Sequence, residues 1–173
     1  MACLGALLRW HPAHVLRTGL DELSETRFET RYLPFLAQLA EASSRVGEIA
    51  SGRAAIDQAL ERCHRDEELW YLPELLRIKG EILLRDGASN AGAAAEAQFL
   101  QSLDWARRQE VLSWELRATM SLAQLWSSQG RLGDARDQLA SVYGKFTEGF
   151  ETTDLRTAKQ LLDGLAHGAS RRD

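Results

Sequence analysis

The sequence is poor in β-branched aliphatic residues: four Val and four Ile stand against 28 Leu and 24 Ala in 173 residues. Strands draw on β-branched side chains, whereas Leu and Ala favour helices, so the composition argues against a sheet-based enzyme fold. Three prolines in the whole chain fit the same helical reading. A basic excess is also missing. With a net charge of −4 and a pI near 5.6, the chain lacks the positive face that a nucleic-acid binder needs to displace counterions. No apolar run approaches the roughly 18 residues of a membrane span. The apolar stretch Met1–Trp10 has neither a basic segment before it nor a cleavage site after it, so it reads as structure rather than a signal peptide. Cysteine is scarce too. Cys3 and Cys63 are expected to be reduced, which places the protein in the cytoplasm.

Catalytic signatures are equally sparse. There is no G-x-S-x-G, H-E-x-x-H or C-x-x-C. Gly144-Lys145-Phe146-Thr147 superficially resembles the end of a phosphate loop, but Phe separates Lys from Thr and the preceding glycine is missing, so an inter-helix loop is expected. His11 and His14 share a helical face without further Cys or His nearby, too few ligands for a metal site. Asp66-Glu67-Glu68 reads as a solvated helix end, and the five Trp as packing residues rather than a ligand cage. The expectation is a non-enzyme with neither metal nor cofactor.

What the chain does contain is repetition. Three segments share an apolar helix, a glycine, a short turn and a second helix: LAEASSRVG with GRAAIDQALERC, GEILLRDG with AAAEAQFLQSLDWARRQ, and LAQLWSSQG with GDARDQLASVY. The closing glycines Gly47, Gly87 and Gly130 stand 40 and 43 residues apart. A small residue precedes each by two helical turns, at Ala40, Gly80 and Ala123, where it would admit a neighbouring helix. The second helices carry their own stripe: Gly52, Ile56, Ala59; Ala95, Phe99, Ser102; Ala135, Leu139, Val142. Pro12, Leu16 and Gly19 form a partial earlier copy, so residues 2–10 are expected to end a truncated first helix. Tyr-Leu-Pro recurs at 32–34 and 71–73, one residue out of step with the glycines, so the two helix starts should differ by one residue. The stretch ASNAGAA after Gly87 reads as a longer loop. Leu155, Ala158, Leu161, Leu162 and Leu165 form a last apolar stripe between Thr153, an expected N-cap, and a stop at His167-Gly168.

These helix pairs resemble tetratricopeptide repeats, stretched to about 40 residues from the usual 34. The stretch SLAQLWSSQGRLGDARDQLASVYGKFTEGFETTDLRTAKQLLDGLA, residues 121–166, closely resembles the C-terminal end of a large bacterial regulator family. Its members carry a P-loop ATPase followed by a tetratricopeptide-like array, many with an N-terminal nucleotide cyclase or a winged-helix or LuxR-type DNA-binding domain. GEILLRDG and AEAQFLQSLDWARRQ resemble that family's penultimate repeat, so the likeness spans roughly residues 30–166. No cyclase carboxylates, P-loop or DNA-reading helix can be matched, so the family's activities do not transfer.

The resemblance implies one domain, an all-α, right-handed α-solenoid: a partial repeat (1–28), repeats at 29–69, 70–112 and 113–152, and a capping helix (153–166). It also implies that the first helix of each pair lines a concave face. By register that face holds Glu41 and Arg45, then Arg77, Glu81 and Arg85, then Arg117, Met120, Gln124 and Ser128. Arg77, Arg85 and Arg117 would suit peptide carboxylates, which guanidinium forks bind bidentately. The blander reading, favoured because mixed-sign helix faces are ordinary, is that glutamates and arginines neutralise one another on a wet surface. The implied function is protein–protein interaction within a bacterial signalling or transcriptional regulator, with a protein or peptide partner. The alternative is a small-molecule sensor that gates an attached ATPase or cyclase. Exposed Leu4, Leu7, Leu8 and Trp10 would suit a homodimer through residues 2–20.

Overall fold

The computed structural model describes residues 32–169, together with Thr18 and Gly19. The partial N-terminal repeat, His11, His14, Cys3 and the dimer surface at residues 2–20 otherwise lie outside the described residues.

Within them the chain is all-helical, with seven α-helices and no strand. In order these are α1 (Tyr32–Arg45), α2 (Ile49–Arg65), α3 (Leu72–Asp86), α4 (Ala91–Arg108), α5 (Leu112–Ser128), α6 (Leu132–Tyr143) and α7 (Thr153–Ala169). Each helix packs against the next, and α1, α3, α5 and α7 also touch one another in sequence. Neighbours run antiparallel. Ser102, late in α4, donates its hydroxyl to the carbonyl of Pro73 at the start of α3 (2.6 Å).

The small residues sit where the helices come closest. Ala40, Gly80 and Ala123 are all buried, and a Cβ on Gly80 would stand 2.4 Å from the Phe99 ring. Gly52 plays the reciprocal part in the first pair, its absent Cβ lying 2.9 Å from the Ala40 carbonyl oxygen. All nine stripe residues of the second helices are buried. The apolar interior therefore runs the length of the stack, from Leu33, Leu36 and Ile56 through Phe99 and Leu122 to Leu139 and Leu165.

Helix ends follow two rules, one visible in sequence and one not. Gly47, Gly87 and Gly130 all have positive φ. After α1, Glu48 N–H reaches the Ser43 carbonyl and Gly47 N–H that of Ser44, the paired closure that a left-handed residue permits. The same closure after α4 uses Glu110, with φ 57°, and Glu67 has φ 56° after α2. No glycine marks those two ends.

Several expectations need correction. ASNAGAA is not a long loop: α4 begins at Ala91, because an alanine run is the best of helix formers and Gly92 is tolerated in the first turn. Thr153 is inside α7 rather than its N-cap; the Thr152 carbonyl takes the first helical bond, from Arg156 N–H. Gly168 does not stop α7, which continues to Ala169, three residues beyond the capping helix expected at 153–166. Pro34 is the third residue of α1 and Pro73 the second of α3, the one-residue offset expected of the two Tyr-Leu-Pro copies. Gly144–Thr147 lies in the connection between α6 and α7, where the Lys145 ammonium pairs with the buried Glu115 carboxylate (2.8 Å).

Candidate interaction groove

The helices α1, α3, α5 and α7 jointly line a cavity of about 320 Å³. Its walls are Glu41 and Arg45 from α1, Arg77, Glu81 and Arg85 from α3, Arg117, Met120, Ser121 and Gln124 from α5, and Thr157 from α7. Eight of the nine residues assigned to this face by register thus meet around one space. Ser128 does not: it lies at the end of α5 and returns its hydroxyl to the Leu125 carbonyl (2.6 Å).

Glu74 organises the floor and was not anticipated. It lies in the first turn of α3, one helical turn before Arg77, and its side chain is 1 % exposed. Arg77 clasps it bidentately, Nε donating to Oε2 (2.9 Å) and Nη2 to Oε1 (2.8 Å). Arg117 reaches the same Oε1 from α5 (2.9 Å). Arg77 also donates to Glu81, which in turn accepts the Ser121 hydroxyl (3.0 Å). Two longer contacts extend the array, Arg77 to Glu41 (3.8 Å) and Arg117 to Asp154 of α7 (3.9 Å). Glu41, Arg77, Glu74, Arg117 and Asp154 therefore form an ionic relay across all four groove helices. Burial alone would depress the Arg77 pKa, but its bonds to Glu74 and the nearby Glu81 and Glu41 carboxylates outweigh burial and raise it.

Mutual neutralisation is thus real, and it is uneven. The three glutamates are the more hidden, with side-chain exposures of 13 % at Glu41, 1 % at Glu74 and 21 % at Glu81, whereas Asp154 beside Arg117 is 46 % exposed. The guanidiniums of Arg45 (64 %), Arg85 (35 %) and Arg117 (34 %) stand out above the glutamates. Each commits only part of its five donors: Arg45 bonds to Glu41, Arg85 to Glu81 and Ser44, and Arg117 pairs with Glu74 and, at longer range, with Asp154. Four arginines here meet four carboxylates, and the excess exposure of Arg45 and Arg85 over the glutamates that hold them makes their end of the groove positive, on a chain whose net charge is −4.

Outside the cavity lining, an aromatic cluster lies at the starts of α3 and α5. Trp70 and Tyr71, in the 3-10 turn that leads into α3, contact each other at 5.1 Å between ring centroids. Trp114 in the first turn of α5 meets them at 6.1 and 5.7 Å. Rings at these spacings fill one another's faces and leave no cage. Trp70 is nonetheless 47 % exposed, a departure from the packing role expected of the Trp residues by default. Tyr71 links the cluster to the ionic floor. Burial, then Glu74, push its phenol up to about 12 against the opposing pull of Arg117 and Arg77.

Elsewhere the chemistry is structural. Cys63 is buried, donates to the Glu68 carbonyl (3.2 Å), and burial raises its thiol pKa to about 11, away from reactive thiolate. Among the described residues no group of three or more His, Cys, Asp and Glu is placed to hold a metal ion, and no helix is long and apolar enough to cross a membrane. Compared with known proteins, the chain matches no protein-family model, no curated protein and no solved structure.

Proposed function

We propose that the chain is a right-handed, tetratricopeptide-like solenoid that acts without catalysis as a protein-interaction module of a bacterial signalling or transcriptional regulator. Its inner groove takes an anionic peptide segment of a partner protein. The observation that carries this reading is the layered charge at the Arg45–Arg85 end of the groove: Glu41 and Glu81 the less exposed, the two guanidiniums outermost with donors to spare. The repeat reading is supported by the contacts among alternate helices α1, α3, α5 and α7 and by the shared small-residue and glycine positions. A peptide suits the groove better than a small metabolite because the lining is charged and polar and crosses four helices, whereas metabolite pockets are mainly apolar with few polar groups.

Fluorescence anisotropy with labelled peptides of equal length, acidic, neutral and basic, tests the proposal. Saturable binding is expected for the acidic peptides alone, weakening with salt and lost in an Arg45→Glu/Arg85→Glu variant. Equal binding of acidic and basic peptides, or binding untouched by the variant, would remove the groove from consideration. Purified protein is expected to show no ATP or GTP turnover, and activity that co-elutes with the protein peak would contradict the non-catalytic reading.

A further inference from the structure

The groove has two chemically distinct ends. Arg45 and Arg85 occupy the last turns of α1 and α3, while Trp70, Tyr71 and Trp114 gather where α3 and α5 begin. Arg117 lies one turn after Trp114 on α5, and Glu74 one turn after Tyr71 on α3, so the aromatic cluster continues the ionic face. The half-exposed Trp70 face is an apolar surface beyond the Arg117 end of the groove, opposite the positive end at Arg45 and Arg85. Trp supplies a large stacking area at small entropic cost and is prominent among interface hot spots.

Resting on the reading of the groove as an anionic-peptide site, we propose that its partner is bipartite. One acidic residue or pair sits at Arg45 and Arg85, and one aromatic side chain stacks on the Trp70–Trp114 shelf. The spacing follows from helix geometry. The fourteen residues from Tyr71 to Arg85 rise about 21 Å along α3 at 1.5 Å each. An extended peptide covers that length in about six residues at 3.3–3.6 Å each. The occupant is therefore an extended acidic segment with an aromatic anchor about six positions from its carboxylates, its middle passing over Met120 and Gln124.

Four labelled synthetic peptides of one length in a Gly/Ser background test the inference. They carry an Asp-Glu pair alone, a Phe alone, both six residues apart, or both two residues apart. The six-residue spacing should bind about tenfold tighter than the acidic pair alone, a gain of about 1.4 kcal/mol. The two-residue spacing should gain nothing. Trp70→Ala should erase the advantage and leave the affinity for the acidic pair unchanged; its half-exposed position makes the substitution mild, and far-ultraviolet circular dichroism checks the fold. Equal affinity for both spacings, or an advantage that survives Trp70→Ala, overturns the shelf. Failure of every peptide, the acidic pair included, overturns the anionic groove itself.

Discussion

Adding one methyl group at Gly80 should do more damage than its size suggests. A Cβ there would lie 2.4, 2.8 and 3.0 Å from three carbons of the Phe99 ring, where carbon–carbon contacts settle near 3.5–4.0 Å. Relief requires the ring to move by about 1 Å. Phe99 is completely buried, in one cluster with Ala95, Leu122 and Leu125, so it has nowhere to go without displacing α4. Overpacking of this kind costs about 1–3 kcal/mol, against about 1 kcal/mol that Ala gains over Gly within a helix. Gly80→Ala should therefore destabilise by up to about 2 kcal/mol net. Gly164 supplies the internal control: it lies within α7, where an added Cβ meets nothing within 4 Å. Gly164→Ala should stabilise by up to about 1 kcal/mol. Urea unfolding followed by circular dichroism measures both, the midpoint moving at constant slope. A second cycle adds Phe99→Leu, which alone opens a cavity but should recover part of the loss when combined with Gly80→Ala. If Gly80→Ala proves as stable as Gly164→Ala, the close packing of α3 on α4 is wrong.

Other substitutions probe the ionic and backbone features. Glu74→Gln leaves the buried Arg77 without its bidentate partner and should cost about 3 kcal/mol by urea unfolding, whereas Glu74→Leu/Arg77→Met should regain most of that loss. Acid should weaken the fold through two carboxylates. Burial pushes the Glu115 pKa up, but Arg107 and Lys145 more than offset it; the Trp126 indole N–H and Arg131 hold that of Glu96 down against burial. Both folded values lie below the ordinary 4.5, so their contribution is complete above that pH and disappears as pH falls through the lower folded values. Glu115→Gln should accordingly cost about 1 kcal/mol at neutral pH and nothing in strong acid, and a cost that persists in acid would refute the assignment. Glu110→Gly replaces a side chain held at φ 57° and should stabilise by about 0.5–1 kcal/mol; a loss of stability would mean that the left-handed closure after α4 is not strained.

The groove could be read from sequence because each first helix ends on a left-handed glycine. Counting back from Gly47, Gly87 and Gly130 in steps of the helical period aligns the three first helices, and the resemblance to tetratricopeptide repeats names the inner face that holds Glu41, Arg77, Glu81 and Gln124. Where no such marker exists, local chemistry misleads. Glu67 and Glu110 end their helices because the following helix must turn back onto the stack, a tertiary demand that nothing in a glutamate announces. Ala91–Ala94 reads as loop in sequence because the neighbouring Ser, Asn and Gly outweigh the helix preference of alanine. Glu74 looks like any acidic residue in a first helical turn, favoured there by the dipole. The available signal was Arg77 three residues later, the spacing of a helical ion pair. Its burial under Arg117 depends on how α5 packs, which sequence does not reveal.

Glu74 also bears on why the groove is built as it is. Burying a carboxylate and a guanidinium together is a poor route to stability, since well-packed apolar residues of the same volume commonly do as well or better. What the pair does achieve is orientation. Clasped on two oxygens by Arg77 and on one by Arg117, Glu74 fixes the angle at which both guanidiniums enter the groove. Glu41 and Glu81 do the same for Arg45 and Arg85, each from beneath and each less exposed than the arginine it holds. An arginine free in water loses much rotamer freedom on binding an anion; one already held loses less, and that saving adds directly to affinity. The same device answers the acidic composition of the chain. Glu74 lies beneath the lining, and Glu41 and Glu81 sit in the walls less exposed than Arg45 and Arg85, so their charge anchors the arginines that stand above them. Fold stability alone gives no reason for this layering, and the proposed recognition of an anionic segment supplies one.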